Sequence, residues 1–91
     1  LGSRDDPMTT PAFTPINRGG YSLDAVAQEI LLEVIQGNGQ TTTEEISSLV
    51  QAQCRAPGPH AQTIARAFLT FLSNRGILHR AEDGTTWKIA T

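Results

Sequence analysis

The stretch 69–90 constrains this chain more than any other. Leu69, Phe71 and Leu72 continue a helical pattern that stops at Gly76, and two short apolar stretches follow, 77–81 and 86–90, separated by Glu82-Asp83-Gly84-Thr85. Glycine ends helices because it enters the left-handed backbone region without a Cβ clash. A polar tip that holds a glycine reads as a hairpin turn. A two-stranded hairpin is marginal on its own in water, so the preceding chain must supply the apolar surface beneath it.

Two shorter helical patterns come before that unit. The first is predicted over 23–36, with Ser22 as N-cap, Tyr21 and Val26 as a hydrophobic staple, and Gly37 as its end. Leu23, Val26, Ala27, Ile30, Leu31, Val34 and Ile35 recur at three-four spacing and are expected to form one buried stripe. A short strand over 41–43 leads into the second helix, where Thr42 and Glu45 form a capping box. Ile46, Leu49, Val50 and Cys54 give that helix an apolar face. The run Arg55-Ala56-Pro57-Gly58-Pro59 breaks the chain, and Pro59 suits the first turn of a third helix, which is expected to reach 74. Ala61, Ile64, Ala65, Phe68, Phe71 and Leu72 read as its buried face. Gln62, Thr63, Arg66, Thr70 and Ser73 fall mainly on the opposite side.

Three helices followed by a hairpin define an α+β domain of winged helix-turn-helix layout, with a two- or three-stranded antiparallel wing. The domain is expected over 21–91. Residues 1–7 read as an expression-vector remnant. Residues 8–20 read as a flexible arm, since from 9 to 20 only Phe13 and Ile16 are large apolar side chains. A core drawn from so short a domain is marginal, and each helix must bury its stripe well.

Charge is segregated along the chain. The formal net charge is −2, yet 21–54 carries five acids and no Lys or Arg, whereas 55–91 carries five bases against Glu82 and Asp83. A positive third helix and wing would form an electrostatic footprint for phosphates. The candidate contacts are Gln62, Thr63, Arg66 and Thr70 on the third helix, and Arg80, Trp87 and Lys88, with His79, on the hairpin. Arginine, glutamine and threonine are residue types that bond phosphates and base edges. Trp87 has two readings. Turned inward it closes the core, and half exposed it packs on sugar or base and donates its N–H to a phosphate.

Other functions find little support. Cys54, His60 and His79 do not have zinc-ligand spacing, and Gly37-Asn38-Gly39 lacks the rest of a phosphate-loop fingerprint. Neither an enzyme nor a cofactor is expected. A lone cysteine excludes an internal disulfide, reads as a small core residue, and suits a reducing, intracellular compartment. No apolar run is long enough to span a membrane, so no membrane association is expected.

Three stretches resemble the Z-alpha family, winged-helix domains that bind left-handed Z-form DNA and RNA. They are Ile30-Leu31 with the rest of the first helix, the run Thr41-Thr42-Thr43-Glu44-Glu45-Ile46-Ser47, and Arg75-Gly76-Ile77-Leu78 through Trp87-Lys88-Ile89-Ala90. The resemblance covers roughly 27–91 and implies a grip on a double-stranded backbone by the third helix and the wing. The family's asparagine and tyrosine of the third helix fall on Arg66 and Thr70, and its wing prolines on Gly84 and Thr85 or Thr86. Trp87 alone matches. A weaker resemblance, through Phe71-Leu72-Ser73-Asn74-Arg75-Gly76 and the hairpin ending in Trp87-Lys88, is to the C-terminal winged helix of the replication protein A middle subunit. That resemblance implies docking of a basic helix from a partner protein in a DNA-maintenance or transcription complex. The first reading expects double-stranded DNA or RNA, including the Z form, with dimerisation on the duplex raising affinity.

Overall fold

A computed structural model of the chain describes residues 13–90. The expected remnant at 1–7, and the arm as far as residue 12, lie outside them. Eight elements follow in order: β1 (Ile16–Arg18), β2 (Tyr21–Leu23), α1 (Ala25–Asn38), β3 (Gln40–Thr42), α2 (Thr43–Cys54), α3 (Gly58–Asn74), β4 (Leu78–Arg80) and β5 (Thr86–Ile89). Strands β1 and β2 form one antiparallel pair, and β3, β5 and β4 form an antiparallel sheet in that order. This is a small α+β domain with the element order of a winged helix.

The start of the chain departs from its expected role as an arm. From Phe13 onward it is built into the fold. Phe13 packs against Phe68 and Phe71, with ring centroids 6.3 and 5.7 Å away. Gly19 and Gly20 turn the β1–β2 hairpin with φ of 59° and 87°, the paired positive values of a tight hairpin turn. A Cβ on Gly19 would collide with the His60 ring, which also packs at a tilt against Tyr21, with centroids 5.2 Å apart. The hairpin is thereby pinned to the start of α3.

Helix α1 begins and ends two residues later than the sequence pattern suggested. Ser22 is not its cap, because its backbone pairs with Asn17 in the hairpin. The cap is Asp24, whose Oδ1 accepts the Ala27 N–H at 2.9 Å. Gly37 stays inside the helix, and Gly39 terminates it at φ 80° with its N–H donating to the Ile35 carbonyl at 2.7 Å. That left-handed conformation is the one glycine reaches at least cost.

The buried stripe of α1 is narrower than expected. Ala27, Gln28, Leu31, Leu32 and Ile35 face inward. Val26, Ile30 and Val34 are 66%, 44% and 39% exposed. Gln28 occupies an inward position because Nε2 donates to the carbonyls of Thr14 at 2.7 Å and Leu23 at 3.0 Å. A buried amide satisfied in this way avoids the desolvation cost of an orphan polar group, and it ties α1 to the N-terminal hairpin.

Helix α2 opens as expected at Thr42, whose Oγ1 accepts the Glu45 N–H at 3.1 Å. The reciprocal half of the capping box is absent. Glu45 instead accepts from the Thr41 hydroxyl at 2.6 Å. Ile46 and Val50 are buried, whereas Leu49 and Cys54 are half-buried. Arg55 closes the helix at φ 55°, a left-handed cap on a residue with a Cβ. Pro59 sits in the first turn of α3, where a missing N–H costs nothing. Ala61, Ile64, Ala65, Phe68, Leu69 and Leu72 of α3 are all fully buried and form the centre of the core, whereas Phe71, expected on that face, is half-buried.

Candidate nucleic-acid interface

The three-stranded sheet divides the hairpin side chains between two faces, because side chains alternate along a strand. Trp87 lies opposite Thr41 on one side and Arg80 on the other. Lys88 lies opposite Gln40 and His79 on the reverse face. The cations expected to act together on the wing therefore alternate along the strands, yet His79, Arg80 and Lys88 all line one depression beside the hairpin.

Trp87 is 6% exposed and closes the core, the first of its two readings. Its Nε1–H donates to the Thr43 Oγ1 at 3.2 Å, so that donor is already engaged within the fold. The Arg80 guanidinium covers the ring, 5.3 Å from its centroid, and Arg80 Nε donates to the Gly84 carbonyl at 3.0 Å. Cation–π contact and a hydrogen bond together hold this side chain in place, leaving its terminal nitrogens as the groups able to reach outward.

Arg80 does not act alone. Thr42, Thr43, Glu44, Gln62, Arg66, Arg80, Gly84 and Thr85 line a single open groove of about 510 Å³. Helix α3 supplies Gln62 and Arg66, one turn apart on its exposed side; α2 supplies its N-terminal residues; and the hairpin supplies Arg80 and its tip. Thr70 continues the Gln62–Arg66 row one turn further, exposed but outside the groove. Thr63 is exposed, and its hydroxyl donates to the Pro59 carbonyl of its own helix at 3.1 Å. Lys88 lines a second depression with His79, Arg80, Ala81, Glu82 and Asp83, so Arg80 borders both.

Five groove residues were not singled out as contacts from sequence: Thr42, Thr43, Glu44, Gly84 and Thr85. The signal available was the cap at Thr42, since the first turn of a helix presents backbone N–H groups that favour anions. Glu44 opposes that preference, because its carboxylate stands on the same groove. The groove is thus mixed in charge, with two guanidiniums against one carboxylate.

The hairpin tip is shaped by Asp83. Its Oδ1 accepts the N–H groups of Thr85 and Thr86, both at 2.9 Å, and its Oδ2 accepts the Thr86 hydroxyl at 2.8 Å. These bonds favour the carboxylate and hold its pKa down at about 2. Cys54 moves the other way: burial, with the Asp24 carboxylate adding to it, pushes its thiol up, which disfavours the nucleophilic thiolate. Among the described residues no cluster of His, Cys, Asp and Glu could hold a metal ion, and no helix is long and apolar enough to cross a membrane.

The chain matches no protein-family model, and comparison with proteins of assigned function and with solved structures yields no match.

Proposed function

We propose that this domain is a non-enzymatic nucleic-acid-binding module that grips the backbone of double-stranded DNA or RNA along α3 and the tip of the hairpin. The observation that carries the reading is the convergence of Gln62 and Arg66 from one element, and Arg80 from another, on a single polar groove. Paired guanidiniums suit phosphate oxygens, which they bind through charge-assisted hydrogen bonds. Thr70 extends the contact row. Trp87 serves as the platform that positions Arg80. Lys88 and His79 touch nucleic acid only where a backbone wraps the outer face of the sheet.

Few of these side chains are able to specify bases, so recognition is by duplex shape. The resemblance to the Z-alpha family makes the left-handed form the first duplex to test. Arg66 and Thr70 would stand where that family places its asparagine and tyrosine, and a second copy on the same duplex would strengthen a weak single grip. The test is near-UV circular dichroism of an alternating CG duplex titrated with the domain at low salt. Inversion of the duplex band supports binding with Z-form selectivity. A saturable isotherm with an unchanged band supports backbone binding and removes that selectivity. No binding to DNA or RNA duplexes at low salt overturns the proposal.

A further inference from the structure

The groove holds one residue that a grip on phosphates does not need. Glu44 lines it together with Arg66 and Arg80, and is exposed. Its neighbour Glu45 serves the fold, accepting from the Thr41 hydroxyl at 2.6 Å. An ionised carboxylate only accepts hydrogen bonds, and it repels the like charge of phosphate oxygens. In a groove that grips phosphates, Glu44 therefore costs affinity unless the nucleic acid offers it a donor.

The surroundings of Glu44 carry the same bias. Glu44 and Gln62 also line an adjoining depression between α2 and α3, with Ser47, Ser48 and Gln51, and no Lys or Arg lines it. One end of the surface is thus cationic, at Arg66 and Arg80, and the other carries carboxylate, hydroxyl and amide groups. Such groups suit a neutral hydroxyl better than a phosphate. The backbone of DNA is phosphate and deoxyribose, whose oxygens accept and never donate. RNA adds one donor per nucleotide, the 2′-hydroxyl. Carboxylates bind ribose hydroxyls in this way at dinucleotide sites. Base amino groups also donate, but they lie within the grooves of a duplex. A concave surface on the protein receives the ridge of the backbone instead.

We propose that Glu44 makes this groove selective for duplex RNA over duplex DNA. Arg66 and Arg80 hold phosphates, and the Glu44 carboxylate accepts the hydrogen bond of a 2′-hydroxyl on the same strand. The inference rests on the nucleic-acid reading of the groove, and adds to it the sugar that is read.

The experiment is fluorescence anisotropy of the 91-residue chain with three duplexes of one sequence, about 16 base pairs long. They are RNA, DNA and 2′-fluoro RNA, the last keeping an RNA-like helix without the donor. The wild-type chain should bind RNA about tenfold more tightly than the 2′-fluoro duplex, the usual worth of a hydrogen bond to a charged group. In E44A that ratio should fall to about one, while affinity for DNA rises because no carboxylate faces the phosphates. E44Q keeps an acceptor without the charge, so it should retain part of the preference. Far-UV circular dichroism verifies that both variants are folded. Equal wild-type affinity for RNA and 2′-fluoro RNA, a preference that survives E44A, or one that follows G·C content whatever the sugar would overturn the proposal and leave duplex binding standing. Absence of binding to all three duplexes would overturn the nucleic-acid reading itself, and the proposal with it.

Discussion

Arg80 shows how one side chain is turned from a solvated cation into a positioned one. The ring of Trp87 lies beneath it and the Gly84 carbonyl accepts its Nε–H. Sequence supplied the identities of both residues and their places on facing strands, but not which face each would take. Trp87→Phe removes the indole N–H bond to Thr43 while keeping an aromatic ring. Chemical denaturation should show a loss of about 1 kcal/mol, the usual net worth of such a bond. No loss would mean that Thr43 fixes nothing. Asp83 offers a second test. Its folded pKa of about 2 is below the ordinary 3.8, so its contribution to the tip is complete above the ordinary value and is lost as pH falls through the folded one. The Thr85 and Thr86 amide resonances should titrate with a midpoint near that folded value, and Asp83→Ala should abolish the transition. A midpoint at the ordinary value would show the turn unformed.

At the scale of elements, the legible parts were those with strong local chemistry. The Thr42 cap, the proline start of α3, its buried face and the hairpin all follow from single residues whose conformational preferences dominate. Two features were hidden. Val26, Ile30 and Val34 have the same spacing and chemistry as core residues, and only the position of neighbouring elements decides which half of a wide stripe is covered. The N-terminal hairpin was hidden because Ile16-Asn17-Arg18 and Tyr21-Ser22-Leu23 are short and mixed, leaving Gly19-Gly20 as the only signal. The corrected end of α1 makes a paired prediction. Gly37 is helical with open space around it, so Gly37→Ala should stabilise the domain by about 0.5–1 kcal/mol. Gly39→Ala should do the reverse, because φ is 80° there. Thermal melts of the two variants check this, and equal shifts would contradict the assigned helix end.

For the whole molecule, the separation of charge matters more than its sum. The acidic first half places Glu29 and Glu33 on one exposed helix, and the basic second half brings Arg66 and Arg80 to a different surface. Sequence disclosed the segregation and grouped Lys88 with Arg80; the two line one depression beside the hairpin, but only Arg80 also reaches the groove that holds Arg66. Lys88→Ala should therefore weaken duplex binding less than loss of the two groove arginines. An equal or larger loss, read by fluorescence anisotropy, would move the contact to the outer face of the sheet.

The decisive measurement is the salt dependence of duplex binding for the wild-type domain and R66A/R80A, followed by fluorescence anisotropy between about 50 and 200 mM salt. Both arginines are exposed, and far-UV circular dichroism verifies that the variant is folded. The expected result is a wild-type slope of log affinity against log salt of about −3 to −4, shallower by about 2 in the variant, with markedly weaker binding. Unchanged slope and affinity in a folded variant would contradict the assignment of the α3–hairpin groove as the nucleic-acid interface.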